Sequence, residues 1–398
     1  MNGRNWPRKE ADFEFVGKDS LHVLKVKNSE NLQEEFFQYA KNFMSAANVL
    51  INHTLSSIEH PKRDFWFFAM VYLYRQSLEL MLKSIAFKYI INNNDRKNYI
   101  GKVRHNLKFA FDEILELINE DVINMKEDKF DWLNEFLTNI SEVDEQSDLF
   151  RYPIKMNMQG SFTDQIHINL YALGVNMNSA YKLLEGILHQ EIVDKEFSVF
   201  EPVLLIEGGS YYEKSVIWSR FGKEYEFYPY VKGYMESAVY LFEVIKENVE
   251  KDYLFLPMCY LYRNGIELAL KRILIEGCQY DSVSAAKIMR KKKHSILGIW
   301  NSVKEDIVLH SNAPAGDTTI NNVEIYINQL HNKIDQTSTR FRYPVDKDLK
   351  FHFKKEEKYD LFNISSYFND LFTFLDSVDG MLSQIKEWQA EMRDYYSE

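Results

Sequence analysis

Apolar positions recur along this chain at three- and four-residue steps, and the same runs come twice. In residues 39–50, YAKNFMSAANVL, Tyr39, Phe43, Ala47 and Leu50 share one helical face, and residues 230–241, YVKGYMESAVYL, repeat the pattern. Residues 65–91 are apolar around most of the circumference, which predicts one long helix in the middle of a bundle, its charged stripe facing a groove or water. Within it, 72–83 reads YLYRQSLELMLK and returns at 260–271 as YLYRNGIELALK. The polar run NNNDRKN that follows reads as a turn. A third helix starts at HNLKFAFDEILELI, where Asn106 suits the N-cap, and its repeat starts at HSILGIWNSV with Ser295 in that place. A fourth helix, 130–148, stops before Pro153, since the residue preceding proline avoids helical ψ; VDEQSDLFRYP here matches IDQTSTRFRYP at 334–344. Fifth helices are expected at 162–188 and 359–388. Partial alternation in 21–26 suggests a short strand. The β-branched and aromatic stretch 197–229 suggests two or three more, and 312–318 a loop.

The spacing between copies is informative. It is 188 residues at Arg75/Arg263, Glu79/Glu267 and Lys83/Lys271, 189 at His105/His294, and 191 at Phe150/Phe341, Arg151/Arg342 and Tyr152/Tyr343. Only loops absorb the drift. The chain therefore divides into a first helical unit at 31–192, a β-rich connecting segment at 193–229 and a second helical unit at 230–392. The expected fold is mainly α, with two up-and-down bundles packed as a pseudo-two-fold pair.

Composition narrows the function. With 398 residues, 45% hydrophobic and 27% charged, each half can bury a core of its own. A net charge of −11 argues against a protein that coats nucleic acid non-specifically, and leaves room for a local basic site. Cys259 and Cys278 have no metal spacing and read as buried free thiols. No N-terminal export signal is evident, and Arg75, Glu79 and Lys83 break the longest apolar run, so a cytoplasmic protein without a membrane span is expected. Gly208-Gly209 lacks a phosphate-loop context, no nucleophile elbow is present, and nothing calls for a cofactor.

The candidate binding residues are the recurring polar ones: Arg75, Glu79, Lys83, His105, Arg151 and Tyr152, and again Arg263, Glu267, Lys271, His294, Arg342 and Tyr343. Spacing of i, i+4, i+8 puts the first three on one side of a helix, which is usually a solvated ladder of ion pairs. Recurrence of the same types while Gln76/Asn264, Ser77/Gly265 and Met81/Ala269 vary points instead to an internal polar network or a groove. Arg151 and Arg342, at the ends of the fourth helices, also read as cations complementing helix C-termini.

Taken in order, Glu79-x-x-x-Lys83, His105-Asn106-Leu107 and Arg151-Tyr152-Pro153, with Glu267-x-x-x-Lys271, His294-Ser295-Ile296 and Arg342-Tyr343-Pro344, resemble the HEPN superfamily of prokaryotic helical bundles. The resemblance covers both units and leaves out the connecting segment. It implies up-and-down bundles that dimerise, often in toxin–antitoxin or anti-phage systems, and in many members a metal-independent ribonuclease with an arginine and a histidine four to six residues apart. Here that spacing is missing: Arg290-Lys-Lys-Lys-His294 has only three intervening residues. The expected function is accordingly a non-nucleolytic binding or regulatory protein of a bacterial defence or toxin–antitoxin type system. Its inter-helix cationic groove would take an RNA, a nucleotide or a protein partner, and homo-oligomers are compatible with the pattern. The alternatives are a ribonuclease using His105, Arg151, His294 and Arg342, and a structural scaffold.

Overall fold

The computed structural model describes residues 6–18, 20–57, 59–118, 125–155, 158–162, 164–191, 193, 200–217 and 226–397. It is mainly helical. In the first half α1 (Leu32–Ser56) starts at Asn31, whose side chain accepts from Glu34 N, and α2 (His60–Tyr89) carries a proline in its first turn. Every residue of α2 from Phe65 to Phe87 is buried, charged ones included. The stripe expected at a groove or in water therefore lies inside.

The polar run read as a turn forms a helix instead, α3 (Asn93–Val103). Asn92 caps it, Asp95 sits in the first turn, and Tyr99 and Val103 provide the buried contact that local propensity does not reveal. Then follow α4 (Leu107–Leu117), capped by Asn106 as expected, and α5 (Glu127–Val143). The expected fifth helix starts later: Ile166–Asn169 is a strand, β2, and α6 runs Leu170–His189 with Asn169 as its cap.

The second half repeats this order. After β1 (Val23–Val26) in the first half, its counterpart is β3 (Lys214–Ile217). Next come α7 (Tyr228–Glu247), a 3-10 turn and α8 (Phe255–Arg272), which ends in a π turn. An unforeseen α9 (Ser282–Lys292), capped by Asp281, precedes α10 (Ile296–His310) and α11 (Thr319–Gln329). β4 (Glu357–Asp360) and α12 (Leu361–Ser397) finish the half, with α12 longer than expected.

The strands exchange partners between halves. β1, which precedes the first helix of one half, pairs antiparallel with β4 of the other, Val23 opposite Asp360; β3 pairs with β2, Lys214 opposite Asn169. The connecting segment thus adds one strand to the first half's sheet and, among the described residues, builds no sheet of its own. Its stretches 194–199 and 218–225, where further strands were expected, lie outside the described residues. The N-terminal segment also packs on the second half, through Arg8 on Asp370 at 2.8 Å and Trp6 against Phe374 at 5.6 Å.

One core runs through both halves. Tyr230 of α7 stacks on Phe68 of α2 at 3.7 Å, and the hydroxyls of Tyr230 and Tyr234 donate to the carbonyls of Leu149 and Phe150. At the α2–α7 crossing a Cβ on Gly233 would stand 1.9 Å from the carbonyl oxygen of Phe65, so only glycine lets the helices approach this closely. Backbone irregularities recur as well: positive φ at Arg104 and Lys293, Ser147 and Ser338, and Met158 and Leu349.

Candidate functional site

α2 presents its charged row toward the start of α4, and α8 toward the start of α10. His105 arrives there on a tight turn in which Asn106 N bonds Val103 O, with Arg104 at φ 48°, ψ −106°. His294 arrives on the same turn, with Lys293 at φ 50°, ψ −108°. A residue with a Cβ is strained there, by about 1–3 kcal/mol, so both halves place their histidine at a conformational cost.

In the first cluster Glu79 is the hub. Its carboxylate accepts from Lys83 Nζ at 2.6 Å, Arg75 Nη1 at 3.0 Å and Tyr343 Oη at 2.7 Å, and lies 3.2 Å from His105 Nδ1. Arg75 also donates to the carbonyls of His105 and Asp144, and its Nε stands 3.1 Å from the Asp144 carboxylate. The Lys83 ammonium sits 4.7 Å from the Tyr343 ring centre, a cation–π contact.

The second cluster has the same form. Glu267 accepts from Lys271 at 2.7 Å, from Tyr152 Oη at 2.8 Å and from Arg263, and His294 Nδ1 lies 3.0 Å away. Arg263 donates to His294 O, and its Nε is 3.5 Å from Asp335. Lys271 is 3.9 Å from the ring centre of Tyr152. Each glutamate thus takes a tyrosine from the opposite half.

Between the clusters lie Tyr72 and Tyr260, stacked at 4.9 Å, with Arg151 and Arg342 beside them. Arg151 donates to Tyr152 Oη at 2.8 Å and has Asp148, half exposed, at 3.5 Å. Arg342 reaches the Tyr72 hydroxyl at 3.3 Å and the Tyr343 ring, and makes no ion pair among the described residues. Gln76 links this centre on one side, accepting from Tyr72 Oη and donating to Arg342 O. On the other side Asn264 is one methylene shorter, and neither its amide nor the Tyr260 hydroxyl finds a partner among the described residues.

Burial and charge act against each other here. Burial alone would raise the Glu79 carboxyl, but Lys83, His105 and Arg75 outweigh it and hold the group well below the ordinary carboxylate range; Glu267 is held down in the same way by Lys271, His294 and Arg263. Burial lowers Lys271 and His294, with Glu267 pulling both back. Tyr152 is pushed well above its ordinary value by burial, against the pull of Arg151, and stays a neutral donor.

All twelve expected residues come together in these two clusters and the seam between them. Nine are buried and Tyr343 is half-buried; His105 and His294 keep 34% and 35% of their side chains exposed, which makes the imidazoles the clusters' main route to the surface. An ionised glutamate can only accept, so Nδ1 donates to it. Sequence reasoning missed Asp144 and Asp335, which pair with Arg75 and Arg263. Their signal was present in the repeated VDEQS and IDQTS. Tyr72 and Tyr260 were passed over as part of the apolar face.

Among the described residues no group of three or more His, Cys, Asp or Glu could hold a metal ion, and no helix is long and apolar enough to cross a membrane. Compared with protein-family models, curated proteins and solved structures, the chain matches none.

Proposed function

We propose that the chain is a tandem HEPN-like binding and regulatory protein, two bundles in a pseudo-two-fold pair, serving a bacterial defence or toxin–antitoxin type system. Its seam contacts an anionic group of a nucleotide, RNA or protein partner. The observation that carries this reading is the charge balance. Six cations, Arg75, Lys83, Arg151, Arg263, Lys271 and Arg342, are buried in and between the clusters, against four buried carboxylates, Glu79, Asp144, Glu267 and Asp335. The surplus falls on Arg151, whose counter-charge Asp148 is half exposed, and on Arg342, which has no ion pair among the described residues; a buried guanidinium without a buried counter-charge is costly enough to favour an anion beside it.

Calorimetric titration of the purified chain with inorganic phosphate, nucleotides and short RNA tests this. Arg342→Gln is expected to weaken binding about tenfold or more while circular dichroism stays unchanged. Equal binding by wild type and by the Arg151→Gln/Arg342→Gln double variant overturns it.

A second reading, a metal-independent ribonuclease, draws on one geometric fact: each histidine turns Nδ1 to a buried carboxylate while about a third of its side chain stays exposed, the posture of a general base. Arg151 and Arg342 would then stabilise phosphate charge. RNA cleavage in EDTA decides it; no cleavage, or cleavage that survives His105→Ala/His294→Ala, rules it out.

A further inference from the structure

The last helix carries a seam that the rest of the molecule covers only in part. Along α12 the apolar positions Ile364, Tyr367, Leu371, Phe374, Val378, Met381, Ile385, Trp388, Met392 and Tyr395 alternate three- and four-residue steps without a break, the a/d pattern of a coiled coil. The first five are buried in the second half's core. The bundle releases the helix near Leu382 and Lys386: Leu382 packs on Gly277, and Lys386 Nζ donates to the carbonyls of Glu276 and Cys278. Beyond that point Trp388, Met392 and Tyr395 are 57%, 53% and 74% exposed, and Tyr396 beside them 76%. In the first half α6 ends at His189, the position that the 191-residue offset places opposite Gly380. The tail beyond Gly380, about 25 Å of helix, has no helical counterpart among the described residues.

We propose that this tail pairs antiparallel with the same tail of a second copy of the chain. The continuous seam makes the tail an extension of a packing surface already in use within the molecule, and its order is self-complementary. Centred on Ala390, an antiparallel pair sets Trp388 against Met392 and Ile385 against Tyr395 of the second copy. Each layer occurs twice, as two-fold closure requires. Thioether–aromatic contact favours the central layers. A parallel pair would crowd two globular bodies at one end, whereas the antiparallel one puts them at opposite ends.

Area sets the strength. Side chains of this size bury about 150–250 Å² each, so two tails withdraw on the order of 1,000 Å² together, the lower bound for a specific interface. Glu391 of each copy faces its equivalent across one margin, a like-charge contact that keeps the association weak and lets salt strengthen it. The tail's polar positions, Lys386, Glu387, Glu391, Arg393 and Asp394, lack the cationic excess that a membrane-surface helix uses.

Sedimentation velocity of the full chain from micromolar to sub-millimolar concentration tests the proposal. A monomer–dimer equilibrium is expected, shifted toward dimer by salt. Trp388→Glu and Met392→Glu each weaken it about tenfold or more, with the thermal transition unmoved because the tail lies beyond the core. A chain that stays monomeric throughout overturns the pairing, as does a dimer that survives the Trp388→Glu/Met392→Glu double variant. Vesicle co-sedimentation run in parallel decides between occupants: a monomer that pellets with phosphatidylcholine–phosphatidylglycerol vesicles also overturns it.

Discussion

Gln76 and Asn264 stand at equivalent places on α2 and α8, and the loss of one methylene separates a connected side from an unconnected one. Gln76 joins the Tyr72 hydroxyl to the Arg342 carbonyl; Asn264 leaves its own amide and the Tyr260 hydroxyl without partners among the described residues. The charged members differ far less. Glu79 and Glu267 each take an arginine, a lysine, a histidine and the opposite half's tyrosine. The contrast follows from magnitudes. A neutral hydrogen bond is worth about 1 kcal/mol net, so one half can do without it, whereas breaking a buried ion-pair hub costs several times more, and both halves keep theirs.

The most severe test of that contrast is removal of the hub. Glu79→Ala and Glu267→Ala each strand a buried lysine and leave the arginine only its aspartate, and urea unfolding is expected to lose about 3–5 kcal/mol in both. A small loss on one side would mean that its charges are not held as described. Acid gives an intermediate effect. His294 is lowered by burial, so the unfolded chain binds a proton that the folded chain does not, below the ordinary imidazole range. Stability should therefore fall as pH drops from about 7.5 to about 5.5, and His294→Gln should flatten that part of the melting profile. The carboxylates act lower down: with both glutamates depressed, their contribution is fully present above about pH 4.5 and lost below it. The smallest effect is a gain. Asn264→Gln restores the missing methylene and should raise stability by about 1 kcal/mol; no gain would mean that the Tyr260 side is closed to a longer amide.

Much of the fold was legible because long helices announce themselves by period, and most of the site because Arg75, Glu79 and Lys83 recur where their neighbours change. The losses have physical causes. The 93–103 run is polar on most sides and its helicity comes from a cap and two buried residues, so local pattern reads it as a turn. Ile166–Asn169 runs directly into α6, and four residues of alternation merge into the helical period. The burial of the charged row could not be read locally either. It depends on Tyr152 and Tyr343 arriving from the opposite half, and no pattern in one half specifies what the other will deliver.

The exchanged strands bear on synthesis. Val23 and its neighbours are made long before their partners around Asp360. While the chain grows from its N-terminus, β1 is an open edge with no mate, and the first half's glutamate waits for Tyr343. Residues 31–192 therefore emerge with a polar hub not yet closed, and contacts this distant in sequence form slowly. Maturation of the first half is timed by translation of the second, and a ribosome that stops early releases a chain with a bare strand and an unsatisfied cluster, the kind of product that chaperones and proteases recognise.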